Sequence, residues 1–122
     1  MQKYPNFGEY LTSKRLSRGI PAIDMAALIG ISKGYYSDIE KGRRSPPERE
    51  ALNKIIQKLH LSDEEKDIFY DLAGRNNAHY EVSPDLTEYI MGNGIVRTAL
   101  RTAREKADDN DWQQFINMLK NK

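Results

Sequence analysis

The stretch IDMAALIGISKGYYSDIEKG, from Ile23 to Gly42, decides how this chain is read. Two short helices can pack closely about a tight turn only with a small residue in the first, a glycine at the turn and apolar residues bracketing both. Ala26 is the small residue, and Gly30 follows four positions later with access to the left-handed conformation. Met25, Ile29, Ile31, Tyr36 and Ile39 are the packers. Ile23 to Ile29 therefore read as a short helix closed by Gly30, with Pro21 suited to the first helical position. Ser32 is an N-cap candidate for the next helix, Lys33 to Lys41, which Gly42 stops.

Working outward, apolar residues recur at spacings of three and four almost throughout, and period-two runs of β-branched and aromatic residues are absent. The expected fold class is all-α. Phe7 to Arg18 forms a first helix that buries Phe7 and Leu11, with Tyr10 at the margin, and ends near Gly19. Arg43 to Pro47 is a loop, since consecutive prolines cannot continue a helix. Pro47 to Leu59 presents Leu52, Ile55, Ile56 and Leu59 on one face. Ser62 with Glu65 is a capping box that opens a fifth helix, with Ile68, Phe69 and Leu72 inward and Gly74 at its end. Arg75 to Ser83 reads as a polar loop, and Ser83-Pro84 as another helix start running through Leu86, Tyr89 and Ile90. Ile95 to Lys106 and Asp111 to Leu119 follow, parted by an acidic turn from Asp108 to Asn110.

In the first half, the spaced matches resemble the Xre-type helix-turn-helix family, which includes lambda-type phage repressors and Cro. Gly8, Leu11, Arg15, Met25-Ala26, Gly30-Ile31-Ser32, Ser37, Ile39-Glu40 and Gly42 fall where that family places such residues. The resemblance spans roughly Phe7 to Leu59. It implies a five-helix, lambda-repressor-like DNA-binding domain over residues 1–74, with 75–122 a helical extension for dimerisation or partner binding. It also implies that Arg15 pairs with Glu40 as scaffold, tying the first helix to the third. Ala22 stands where the family often has a phosphate-holding glutamine.

By the same resemblance the third helix is the recognition helix, lying in the major groove with its N-terminal residues against base edges. Helical spacing puts Lys33, Gly34, Ser37, Asp38 and Lys41 on one side, opposite Tyr36 and Ile39. With Ser32, Tyr35, Arg43 and Arg44 they make up the candidate DNA-binding set. Lys33 can donate to guanine O6 or N7, and Ser37 to a base or a phosphate. Asp38 has two readings: it accepts from cytosine N4, or it pairs with Lys41 or Arg43. Gly34 costs about 1 kcal/mol of helix stability relative to alanine, which suits a close approach of DNA and equally suits neutral drift. Tyr35 sits between packing and phosphate contact. Lys41, Arg43 and Arg44 form a cluster suited to neutralising phosphates.

Charge agrees with this division. The chain's 122 residues carry a net charge of +1. Residues 1–60 hold 11 Lys/Arg against 6 Asp/Glu, a net of +5, and residues 61–122 hold 8 against 12, a net of −4. The basic half is the candidate polyanion binder. With no cysteine there is no disulfide framework and no thiolate, which fits a cytoplasmic setting. No apolar run is long enough for a bilayer, and Met1 to Gly8 lacks a signal-peptide core, so no membrane is expected.

His60 and His79 do not form a metal-ligand spacing, and both read as structural, His60 at a helix end where it complements the dipole. Glu64-Glu65 and Asp108-Asp109 sit at helix starts or turns. Phosphate loops and a nucleophile elbow are missing. No catalytic residue, cofactor or metal is expected.

Val96, Leu100, Ala103, Trp112, Phe115, Ile116 and Leu119 need cover, either from the head domain or from a second copy. The expected partners are double-stranded DNA and a second copy in a homodimer. The expected function is a transcriptional regulator, a repressor at a pseudo-palindromic operator. The alternative is an antitoxin-like protein whose second half holds a partner protein. A ligand sensor is a third class, but the C-terminal helices show no convergent polar pocket.

Overall fold

The computed structural model describes residues 6–76 and 79–122, with the side chains of Asn76, His79 and Tyr80 left aside. Readings that rested on the first five residues or on the His79 imidazole lie outside the described part. Among the described residues the chain is all-helical apart from one two-residue ladder, and it divides into two compact units, Met1–Leu86 and Thr87–Lys122.

The first unit holds five helices. In α1, Phe7–Ser17, the Asn6 side chain accepts from the Glu9 N–H at 2.9 Å, satisfying one of the donors that a helix start leaves open. Pro21 is the N-cap of α2, Ala22–Ile29, and not its first helical residue. Its ψ of 146° is extended, and its carbonyl accepts from Asp24 and Met25. Gly30 ends α2 at φ 74°, and the Ile31 N–H turns back to the Ala26 carbonyl at 3.0 Å. Ser32 then caps α3, Lys33–Glu40, by accepting from the Tyr35 N–H.

The fourth helix, α4, is Arg49–Leu59, beginning two residues later than the proline-based reading. Glu48 is still extended, and its carbonyl receives the Leu52 N–H. The capping box at Ser62 and Glu65 opens α5, Asp63–Gly74. Its buried arc runs through Phe69, Tyr70, Leu72 and Ala73, so Ile68, expected inside, lies at the edge and is 39% exposed.

One core joins these helices. Phe7, Tyr10 and Leu11 of α1 meet Met25, Tyr36, Ile39, Leu52, Ile55, Leu59 and Phe69, with the Phe7 and Phe69 ring centroids 4.9 Å apart. The stretch read as a loop after Gly74 contains a ladder, β1 (Arg75–Asn76) with β2 (His79–Tyr80). The Glu81 N–H donates to the Gly74 carbonyl and the Ser83 hydroxyl to Asp71, and the compact unit extends to Leu86.

Pro84 to Leu86 form a turn at the end of the first unit, and in the second unit α6 is only Thr87–Met91. Asn93 caps α7, Gly94–Lys106, by accepting from the Ile95 and Val96 N–H groups. The acidic segment taken for a turn starts a helix: Asp108 and Asp111 make a capping box, and α8 runs Asp109–Lys120. None of these three helices has a buried residue.

Candidate nucleic-acid interface

The frame that holds α3 begins with two residues of α1. Gly8 is buried so close to α3 that a Cβ on it would overlap the Glu40 carbonyl and stand 2.8 Å from the Ile39 carbonyl oxygen. About two turns further, the Arg15 guanidinium donates to Glu40 through Nε at 2.7 Å and Nη2 at 3.1 Å, and through Nη1 to the Ile20 carbonyl. Both side chains are nearly buried, at 13% and 10% exposure. The hydrogen bond it donates to Glu40 raises the Arg15 pKa further. Burial pushes the Glu40 carboxyl up, but the bond from Arg15 and its charge outweigh that, and the net position is below the ordinary value. Burial, then Glu40, keeps the Tyr36 phenol protonated. The pair is therefore ionised across the physiological range, and it fixes α3 against α1.

With Tyr36 and Ile39 buried, the opposite side of α3 faces solvent. Ser32, Lys33, Gly34 and Lys41 are exposed, while Ser37 and Asp38 are half-buried between them. Ser32 spends its hydroxyl oxygen on the helix cap. Apart from the adjacent residues and backbone of α3 itself, no atom of the described residues stands within 4 Å of the place a Gly34 Cβ would occupy, so the backbone there is open to a ligand.

The basic loop is folded back onto the same helix. The Arg43 N–H donates to the Asp38 carbonyl at 2.8 Å. Asp38 has Arg43 Nη1 at 3.6 Å from one carboxylate oxygen and Arg44 Nε at 3.9 Å from the other. Arg44 lies over the Tyr35 ring, 4.1 Å from its centroid, a cation–π contact that leaves Tyr35 42% exposed. Lys41 takes no part in the Asp38 contacts, although helical spacing favours it. Arg43 and Arg44 reach Asp38 because Gly42, at φ 78°, turns the chain back. The stacking of Arg44 on Tyr35 carried no signal in the sequence beyond an aromatic and an arginine on either side of that glycine.

Four cations thus surround an open helix face: Lys33 at its N-terminus, and Lys41, Arg43 and Arg44 at the other end. Ala22, which heads α2, is half-buried against the core. Residues 6–68 match the family model described as a helix-turn-helix domain, more than half of the 122-residue chain. The chain belongs to this helix-turn-helix family. The matched span starts at the α1 cap and ends within α5, so all of α2, α3 and the basic loop lie inside the helix-turn-helix domain. Such domains lay the second helix of the motif in the DNA major groove, and here that helix is α3. Comparison with curated proteins returns no match. Among the described residues no helix is long and apolar enough to cross a membrane.

Proposed function

We propose that the protein is a sequence-specific, double-stranded-DNA-binding transcriptional regulator of the Xre type, a cytoplasmic repressor that binds a pseudo-palindromic operator as a dimer. One observation carries the reading. The solvent face of α3 is open at Lys33 and Gly34 and flanked by Lys41, Arg43 and Arg44, within a frame held by Arg15 and Glu40. Lys33 and Ser37 read base edges, while the loop cations neutralise phosphates. The contacts at Asp38 favour an organising role, aligning Arg43 and Arg44, over acceptance from cytosine. The function is binding, with no catalytic step.

Selection of binding sites from random duplex DNA tests this reading, comparing wild type with Lys33→Ala. A two-fold motif, relaxed at one position per half-site by the substitution, is the expected result. Folded wild type that enriches nothing would sink it.

A second reading, an antitoxin-like protein that autoregulates its operon, is favoured by the uncovered apolar side chains of α7 and α8. A small toxic protein co-purifying in fixed ratio would promote it, and a self-sufficient homodimer would demote it.

A further inference from the structure

Helix α8 is well formed yet has no buried residue. Trp112, Phe115, Ile116 and Leu119 recur at i, i+3, i+4 and i+7 and make one stripe, exposed by 38%, 45%, 42% and 45%. Trp112 and Phe115 contact each other edge to face, 6.1 Å between centroids, which leaves the outer surface of both rings to solvent. Such a stripe costs free energy until it is covered.

The charges on α8 say what covers it. Its first turn carries Asp109 and Asp111 and no cation, and beyond the middle the only charged residues are Lys120 and Lys122. The face opposite the stripe is uncharged amide: Asn110, Gln113, Gln114 and Asn117, with Gln113 donating to Asn117. A helix lying on an anionic membrane needs Lys and Arg along that polar face, so a lipid surface is a poor occupant. A second α8 placed antiparallel is a good one, because each acidic end then meets the basic end of its partner and the two helix dipoles oppose. A parallel pair would set like charges together at both ends.

We infer that α8 pairs antiparallel with α8 of a second copy, about a two-fold axis passing between Phe115 and Ile116. The stripe is self-complementary in that arrangement. Phe115 faces the partner's Ile116, and Trp112 faces the partner's Leu119. Asp109 comes beside the partner's Lys120, and Asp111 beside the partner's Lys122. The contact is isologous, so it closes at two copies. It deepens the dimer in the proposed function, and it stands or falls without DNA.

Sedimentation equilibrium of the full chain tests the pairing, with Phe115→Asp beside wild type. A wild-type dimer made monomeric by the substitution is expected, and circular dichroism should show the helices of the first unit intact. Orientation is then read by cross-linking, which the absence of native cysteine makes clean. Trp112→Cys and Leu119→Cys chains should form a disulfide when mixed and not separately. In the antiparallel pair each cysteine lies roughly 10 Å along the axis from its own mate, beyond the reach of about 7 Å between Cα atoms. Monomeric wild type, a dimer indifferent to Phe115→Asp, or either cysteine chain linking to itself would overturn the inference. A monomer that still selects a DNA half-site would do so while leaving the DNA-reading proposal standing.

Discussion

Arg15 and Glu40 meet through two parallel N–H to carboxylate bonds across the junction of α1 and α3. Removing either partner leaves the other charged, nearly buried and without its counter-charge, which costs roughly 3 to 5 kcal/mol. Arg15→Ala and Glu40→Ala should each lower the unfolding free energy by that measure, seen as an earlier urea midpoint. The double substitution should cost less than their sum, and a chemical-denaturation cycle on the four proteins reads the coupling. If the single losses simply add, the pair does not act as a unit.

Gly8 tests the same junction by volume. A methyl group there must push α1 away from the Glu40 carbonyl, and overpacking of this kind costs about 1 to 3 kcal/mol. Gly8→Ala should therefore destabilise the protein even though alanine is the better helix former, as thermal unfolding would show.

Glu65 predicts a pH dependence. Its carboxylate takes a hydrogen bond from Lys14 Nζ at 2.8 Å and one from the Ser62 N–H, with Arg18 nearby, and these hold its pKa down at about 2. The folded state is thus the stronger acid. Its stabilisation is complete above the ordinary carboxylate value of 4.5 and is lost as pH falls from there toward 2. Glu65→Gln should be less stable than wild type at neutral pH, and the gap should close in acid. A gap that stays constant down to low pH would refute the assignment.

Asp38→Asn distinguishes the two roles weighed for this side chain. If it aligns Arg43 and Arg44, the substitution changes affinity evenly across DNA sequences and alters the salt dependence. A loss confined to one base pair would identify a base reader instead. Binding isotherms on a panel of single-base variants at two salt concentrations make the distinction.

The helices were legible because their spacing, glycine stops and caps are local signals. Gly30, Ser32 and the Ser62–Glu65 box lie where the pattern places them. Helix starts near proline were less legible: Pro21 is itself the extended cap of α2, a conformation a proline fits as well as the first turn, and Pro47 lies one residue before the cap Glu48 of α4. Asp108 looked like a turn since acidic residues serve turns and helix starts alike. The ladder after Gly74 is too short for period-two alternation to show. At the candidate interface, residue types and the outward face of α3 were open to sequence reasoning. The folding of Arg43 and Arg44 onto Asp38 and Tyr35 was not, because it depends on where the chain goes after Gly42.

Gly34 faces open space in the middle of the surface assigned to DNA. Alanine there should strengthen α3 by about 1 kcal/mol, and under the proposed function its methyl group would stand in the way of the duplex. A tougher fold and a firmer grip thus pull in opposite directions at one position. On the proposed function, a screen for heat resistance alone would enrich a form that outlasts its parent and has lost its hold on DNA.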